Sequence, residues 1–387
     1  MPSDPRTLRI PKELLPADGR FGSGPSRVRN AQVDAFESRA ARAILGTSHR
    51  QPPVRALVGR VRDGMRHLFH LPDGHEVILG VGGATAFWDV AAYGLIERRS
   101  AHAVHGAFSS KFARAVAQAP HLAAPLVAEA AAGSRAELDG AARDTADAAT
   151  IDAWAVIQNE TSTGVAAPIR RPRNAAGKPA AGITLIDATS SAGCTPFDAS
   201  ESDAYYFSPQ KAFGADGGIW FALLSPAAIA RAESIAASER KAPPSLNLVD
   251  AITESRRDQT VNTPAIGSLL LLAEQVDWLN AEGGLTWSSA RCAESSGRLY
   301  AWSESRPWAS PFVQDPTIRS KSVATIEFDA AVDAAIVREV LGLNGIVDLH
   351  PYQSIGGNGI RVGAFPSVDP DEISALTACI DWVVERL

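Results

Sequence analysis

The sequence predicts an α/β protein in which a large domain built on a mainly parallel sheet is followed by a smaller C-terminal α/β domain. Three observations predict it. Short apolar runs of strand length alternate with segments whose apolar residues recur at helical spacing. Several of these runs feed turns of small residues, where strands of a parallel sheet hand the chain to a crossing helix. An apolar helix over Ala265–Leu279 then leads into a second region with strands and helices of its own. The expected boundaries are 1–282, opening with an arm over 1–20, and 283–387.

In chain order, the arm reads as irregular. Gly22, Gly24 and Pro25 in FGSGPSRVR force a tight path before a helix expected over Ala31–Leu45. His49 and Arg50 leave a turn just ahead of the Pro52–Pro53 helix start, a position that suits a surface ion pair or a binding pair equally. Leu57, Val58, Val61, Met65, Leu68 and Phe69 mark an amphipathic helix within 54–71. His67 and His70 lie three apart on it, but no third ligand is spaced to join them in a metal site. A short buried strand, Val77–Leu79, runs into GVGGATAFWD, where a helix begins near Ala84. Gly82 and Gly83 make this either an ordinary glycine turn or an anion site at a helix N-terminus.

HAVHGAFSSKFARAV repeats the pattern of strand, turn and helix, with Phe108 at the strand end. The alanine-rich acidic stretch from about Ala128 to Ala149 carries no motif and reads as a helical excursion or surface insertion. Strands are expected at Ala155–Gln158, Ile183–Ile186, Ala204–Phe207 and Ile219–Leu224. Asn159 and Thr161 occupy the NETSTG turn after the first of these. A helix over Ala227–Glu239 precedes ESRRDQTVNTPA, in which Asn262 and Thr263 resemble a helix cap. The second region should hold strands at Ser322–Phe328, near Ile346–Asp348 and at Ile360–Ala364, with a terminal helix from Asp371. Arg361 falls on the last strand, where a salt bridge at the strand edge is the simple reading.

With 387 residues, 45% of them hydrophobic, the chain can bury a large core. A net charge of −6 without a basic block argues against nucleic acid as a partner. Three scattered cysteines, Cys194, Cys292 and Cys379, suit a reducing compartment better than a disulfide framework. No apolar run reaches membrane-spanning length, and prolines and charges occupy the N-terminus where a secretory signal would be apolar. A cytoplasmic protein is expected.

The chemistry concentrates in YYFSPQKAFGADGGIW, residues 205–220. Its apolar strand delivers Gln210 and Lys211 into a turn broken by Gly214, Gly217 and Gly218. A lysine held at a strand end beside small residues suits Schiff-base formation, because partial burial lowers its pKa. An earlier strand in ITLIDATSSAG ends in Asp187. A lysine to bind the aldehyde and a carboxylate to pair with the pyridine nitrogen are the two fixed points that pyridoxal 5′-phosphate requires.

With RFGSGPSRVR, GTSHR, GGATAFWD, NETSTGVA, DATSSAG, DAYYFSPQK and NTPA in order, nearly the whole chain resembles the fold-type I aminotransferases of class V. More narrowly, it is similar to the actinobacterial phosphoserine aminotransferases. The resemblance implies a seven-stranded, mainly parallel sheet and a homodimer with sites completed across the interface. Lys211 and Asp187 would be catalytic. Ala84 and Thr85 would bind the cofactor phosphate, Phe108 would stack on the ring, and Thr161 and Gln210 would line it. Asn262 and Thr263 would reach the phosphate of the neighbouring subunit. His49 and Arg50 would grip the distal acidic group of the substrate, and Arg361 its α-carboxylate. The implied reaction transfers an amino group from L-glutamate to 3-phosphohydroxypyruvate. Relatives carry basic residues just before the arginine, whereas the run between Tyr352 and Ile360 has none. That leaves open a paralogue acting on another 2-oxo acid. A cysteine desulfurase and a non-catalytic cofactor-binding protein are the remaining alternatives.

Overall fold

A computed structural model describes residues 4–353 and 357–387. Ahead of the first strand lie three helices, α1 (Asn30–Phe36), α2 (Arg39–Ile44) and α3 (Pro52–Leu68). The single helix expected over 31–45 is therefore two. Ser38 adopts an extended backbone and accepts a hydrogen bond from the Ala41 N–H at 3.1 Å, which ends one helix and caps the next.

The large sheet uses β1 (Glu76–Val81), β2 (Ser100–Val104), β3 (Leu126–Glu129) and β4 (Ala153–Ile157), then β7 (Ile183–Asp187), β8 (Ala204–Phe207) and β9 (Ile219–Leu224). A two-residue ladder, β5 (Asn159–Glu160) with β6 (Val165–Ala166), folds the NETSTG turn back on itself. The seven strands lie in the order β1-β9-β8-β7-β4-β2-β3. The pairs β2–β3, β2–β4, β4–β7 and β7–β8 are parallel, and β9 runs against both of its neighbours. Both faces are covered, so the inner strands are almost wholly buried. Tyr205 and Phe207 enter one apolar layer and Tyr206 the other; Ile219, Phe221 and Leu223 alternate in the same way with Trp220, Ala222 and Leu224. Burying a side chain such as Phe207 contributes about 1.5–3 kcal/mol, and these layers fix which strand ends face the same way.

On one face α3 packs with α10 (Ile266–Ala281); on the other lie α4 (Ala84–Gly94), α5 (Ala107–Ala117), α8 (Pro226–Ala236) and α9 (Leu248–Ser255). The 128–149 stretch is more regular than the sequence suggested. Its first residues finish edge strand β3, and short helices α6 (Asp139–Arg143) and α7 (Thr145–Ala148) follow. Alternating half-burial along β3 gave too weak an apolar pattern to read.

Beyond α11 (Gly284–Glu304), strands β10 (Ala309–Pro311), β11 (Val323–Phe328) and β12 (Gly359–Gly363) form an antiparallel sheet. It packs with α12 (Ala334–Leu343) and α13 (Pro370–Val384) around a separate core that also takes in Ile10 from the arm and Phe21 just after it. The strand expected at 346–348 is absent. Only a single bridge, Val347 to Arg20, forms there, and Asp348 at φ +66° turns the chain away. Of the neutral run before Arg361, residues 354–356 lie outside the described residues. No helix among the described residues is long and apolar enough to cross a membrane.

Candidate active site

The carboxyl ends of β4, β7 and β8 open on a cavity of about 260 Å³, where the parallel topology gathers loops from distant parts of the chain. Seven of the predicted residues line it: Ala84 and Thr85 from α4, Phe108 from α5, Thr161, Asp187, and Gln210 with Lys211. A wider cleft of about 720 Å³ between the arm and α13 has a different character. Its arginines are spent on neighbours, Arg27 on Glu372 and Arg291 on Asp369.

Lys211 is buried, and its Nζ donates to the carbonyl oxygen of Ser23 at 2.6 Å. Burial above all, then the positive Arg361, brings its pKa down to about 7, against partial support for the charge from Asp187. An amine so placed is largely available as a nucleophile near neutral pH. The close approach depends on Gly24, whose φ is +139° and where a Cβ would fall 1.8 Å from the lysine Nζ.

Asp187 ends β7, buried. Its Oδ2 accepts from the Trp88 indole N–H at 2.8 Å, and its Oδ1 from the Thr189 backbone N–H at 2.9 Å and hydroxyl at 2.6 Å. Burial raises its pKa, and the bonds from Thr189 and Trp88 only partly oppose this. Among the described residues no cationic side chain is hydrogen-bonded to it. A protonated ring nitrogen at that edge would supply the missing partner.

No side chain caps α4 at Gly83, so the first N–H groups of this helix, at Ala84 and Thr85, stand free at the cavity wall. They form a seat for an anion. The Gln210 Oε1 is buried without a partner. Together with the lysine and the lone carboxylate, these features fit pyridoxal 5′-phosphate.

The opposite wall is organised by Ser190. Its hydroxyl donates to the Asn159 carbonyl at 2.9 Å and accepts from the Asn159 amide and the Thr161 hydroxyl, each at 2.8 Å. Arg361 reaches this turn from β12, donating to the Thr161 carbonyl at 3.0 Å, while its Nε is buried without a partner. Burial lowers its pKa, which is the cost an incoming carboxylate would offset. Phe108 is positioned by Glu160. That fully buried carboxylate accepts from the N–H groups of Phe108 and Ser109, at 3.2 and 2.9 Å, at the start of α5.

Arg361 touches the cavity wall only through Thr161, and His49, Arg50, Asn262 and Thr263 do not line the cavity either. The structure instead brings His49 against Thr263, Nδ1 to Oγ1 at 3.1 Å. Arg50 is exposed, donates to Gln259 at 3.2 Å and lies 3.7 Å from the Glu254 carboxylate. Burial, and secondarily Arg50, lower the pKa of His49. Trp88, Ser190 and Glu160 were not singled out from the sequence. Trp88 was within reach, three residues after Thr85 on the same helix face. The cysteines are all buried, so no exposed thiol serves a desulfurase reaction.

Residues 23–347 match the family model for class-V aminotransferases. A phosphoserine aminotransferase of Nocardioides is 52% identical over 98% of this chain and 99% of its own. A Mycolicibacterium vanbaalenii protein, provisionally named phosphoserine aminotransferase, is 55% identical over 98% of this chain and 99% of its own. The crystal structure of a phosphoserine aminotransferase from Cytophaga hutchinsonii superposes with a TM-score of 0.84 at 21% identity, covering 94% of this chain and 99% of that one. The chain belongs to the class-V aminotransferase family.

Proposed function

We propose that this protein is a pyridoxal 5′-phosphate-dependent aminotransferase that converts 3-phosphohydroxypyruvate and L-glutamate into O-phospho-L-serine and 2-oxoglutarate, a step of serine biosynthesis. The observation that carries this reading is the pairing of buried Lys211 with buried Asp187 on one cavity, in a chain about half identical to proteins of that name.

The cofactor, when bound, supplies the electron sink that lets a proton leave the substrate α-carbon. Lys211 would hold the cofactor aldehyde, and its Nζ would carry a proton to and from the substrate α-carbon. Asp187 would keep the ring nitrogen protonated. Ala84 and Thr85 would hold the phosphate through backbone N–H groups, Gln210 would line the same pocket, and Phe108 would cover the ring. Thr161 would face the ring edge, and Arg361 would take the α-carboxylate through its guanidinium fork.

The protein acts as a soluble cytoplasmic homodimer. Asn262 and Thr263 serve the phosphate site of the partner subunit, and the contact between His49 and Thr263 means that His49 and Arg50 travel with them. The distal acid of one subunit's substrate would then meet the His-Arg pair of the other. Residues 1–282 form the large cofactor-binding domain, and 283–387 form the small C-terminal domain that contributes Arg361.

A second reading is favoured by one feature, the absence of basic residues between Tyr352 and Ile360. It is a paralogue with the same amino-transfer chemistry and an unphosphorylated 2-oxo acid as acceptor. The test is a pair of half-reactions. The holoenzyme is first aminated with L-glutamate, and the cofactor spectrum is then followed on adding 3-phosphohydroxypyruvate or hydroxypyruvate. Fast return with the phosphorylated acid alone supports the first reading. Preference for hydroxypyruvate overturns it in favour of the second, and no response to L-glutamate argues for a non-catalytic binding protein.

A further inference from the structure

Lys111 stands one helical turn after Phe108 on α5, so the two side chains share a face. Its Nζ lies 5.3 Å from the centre of the Phe108 ring, within the range of a cation–π contact. The same amine donates to the Tyr352 hydroxyl at 2.7 Å. Tyr352 in turn ties three site elements together. Its ring centre is 5.2 Å from that of Phe108, and the Arg361 guanidinium lies 5.4 Å over its face. Two cations, Arg361 and Lys111, therefore flank one aromatic ring above the residue that covers the cofactor.

The two differ in what they lack. Arg361 is largely buried and tied to the Thr161 carbonyl, as a residue that fixes one end of a substrate should be. Lys111 is exposed, and among the described residues no acidic side chain pairs with it. A lysine without a carboxylate, held in place by a tyrosine hydroxyl at the mouth of an enclosed site, is poised for an anion that arrives with the ligand. It also stands where the run before Arg361 offers no positive charge.

We infer that Lys111, positioned by Tyr352, binds the distal anionic group of the substrate, the phosphate of the phosphorylated oxo acid and the side-chain carboxylate of L-glutamate. This rests on the amino-transfer reading above and assigns substrate selectivity to the same site. Arg361 sets one end of a dianionic substrate, and Lys111 selects for charge at the other. His49 and Arg50 of the second subunit complete the grip from outside.

Half-reactions of the holoenzyme with L-glutamate, 3-phosphohydroxypyruvate and hydroxypyruvate test the assignment in wild type, Lys111→Met, Lys111→Arg and Tyr352→Phe. Loss of one charge-assisted hydrogen bond should lower kcat/KM of Lys111→Met by about tenfold or more for the two substrates with a distal charge. The change should lie in KM, hydroxypyruvate should be affected less than twofold, Lys111→Arg should recover most of the loss, and Tyr352→Phe should fall between. An equal fall for charged and uncharged substrates would mean that Lys111 only props the site, and would overturn the inference. So would unchanged kinetics for L-glutamate and the phosphorylated acid. Failure of the wild type to react with L-glutamate at all is a separate result, which would sink the aminotransferase reading itself. Because Lys111 is exposed, an unaltered cofactor spectrum suffices to show that each variant is folded.

Discussion

The indole N–H of Trp88 meets the carboxylate of Asp187 across 2.8 Å, and through this bond α4 is joined to the end of β7. The helix proposed to seat the cofactor phosphate and the strand proposed to carry the ring's counter-charge thus form one unit. Trp88→Phe keeps an aromatic ring to stack on Phe112 but removes a donor to the ionised form of Asp187. Hydrogen bonds to charged groups contribute about 1.5–3 kcal/mol, so retention of pyridoxal 5′-phosphate should weaken about tenfold or more. Equilibrium dialysis measures it, and unchanged affinity would show that Thr189 alone holds the carboxylate.

The depressed pKa of Lys211 makes a prediction for the cofactor-free protein. The folded lysine releases its proton near pH 7, whereas the unfolded chain holds it until about 10.4. Between those values the unfolded state binds more protons, so stability must rise with pH, by up to about 1.4 kcal/mol per unit from this residue. Below pH 7 both states are protonated and the contribution is flat. Denaturant titrations from pH 6 to 9 should show the slope in wild type and lose it in Lys211→Met. The rate of cofactor capture by the wild-type apoprotein should follow the free-amine fraction of the folded lysine, rising through a midpoint of about 7 and levelling off soon above it, while stability continues to climb. Turnover should be absent from Lys211→Ala, and substantial residual activity there would refute the assigned role.

Gly24 is the position where the least added volume should do the most harm. A methyl group there would collide with the amine of Lys211, and the positive φ adds strain of about 1–3 kcal/mol for any side chain. In Gly24→Ala the lysine side chain must swing aside or the loop must shift, and either way the amine loses its bond to Ser23. Cofactor attachment, read from the visible absorption of the purified protein, should fall strongly while the far-ultraviolet dichroism stays native. Gly46, with φ +76° and nothing within 4 Å of an added Cβ, serves as the control substitution.

Lys211 and Asp187 were legible in the sequence because the layered sheet writes its strands as apolar runs, and a charged residue at the end of such a run stands out. Phe108 and Arg361 needed the family resemblance, since an aromatic or an arginine at a strand end has ordinary structural uses. Glu160 was passed over because its role depends on folding against the start of α5, 51 residues away from Ser109. The Lys111–Tyr352 contact spans 241 residues, and no local pattern announces it. Ile346–Asp348 misled for the opposite reason. Ile346 is buried in the second core and not by a strand ladder, while Val347 is exposed and makes only the single bridge to Arg20.

His49 touches Thr263 yet neither lines the cavity of its own chain, and the proposed sharing of sites between two subunits can be tested in solution. One chain carries Lys211→Ala, and a second carries His49→Ala with Arg50→Ala. Each homodimer alone should be nearly inactive towards the phosphorylated acid. After unfolding and joint refolding, mixed dimers contain one site with an intact lysine from one chain and an intact His-Arg pair from the other. Random pairing places such sites at about a quarter of the total, so activity should return to about that fraction of wild type. Mixing without subunit exchange should restore nothing. If the refolded mixture also stays inactive, each chain uses its own His49 and Arg50, and the shared-site arrangement fails even if the protein is a dimer.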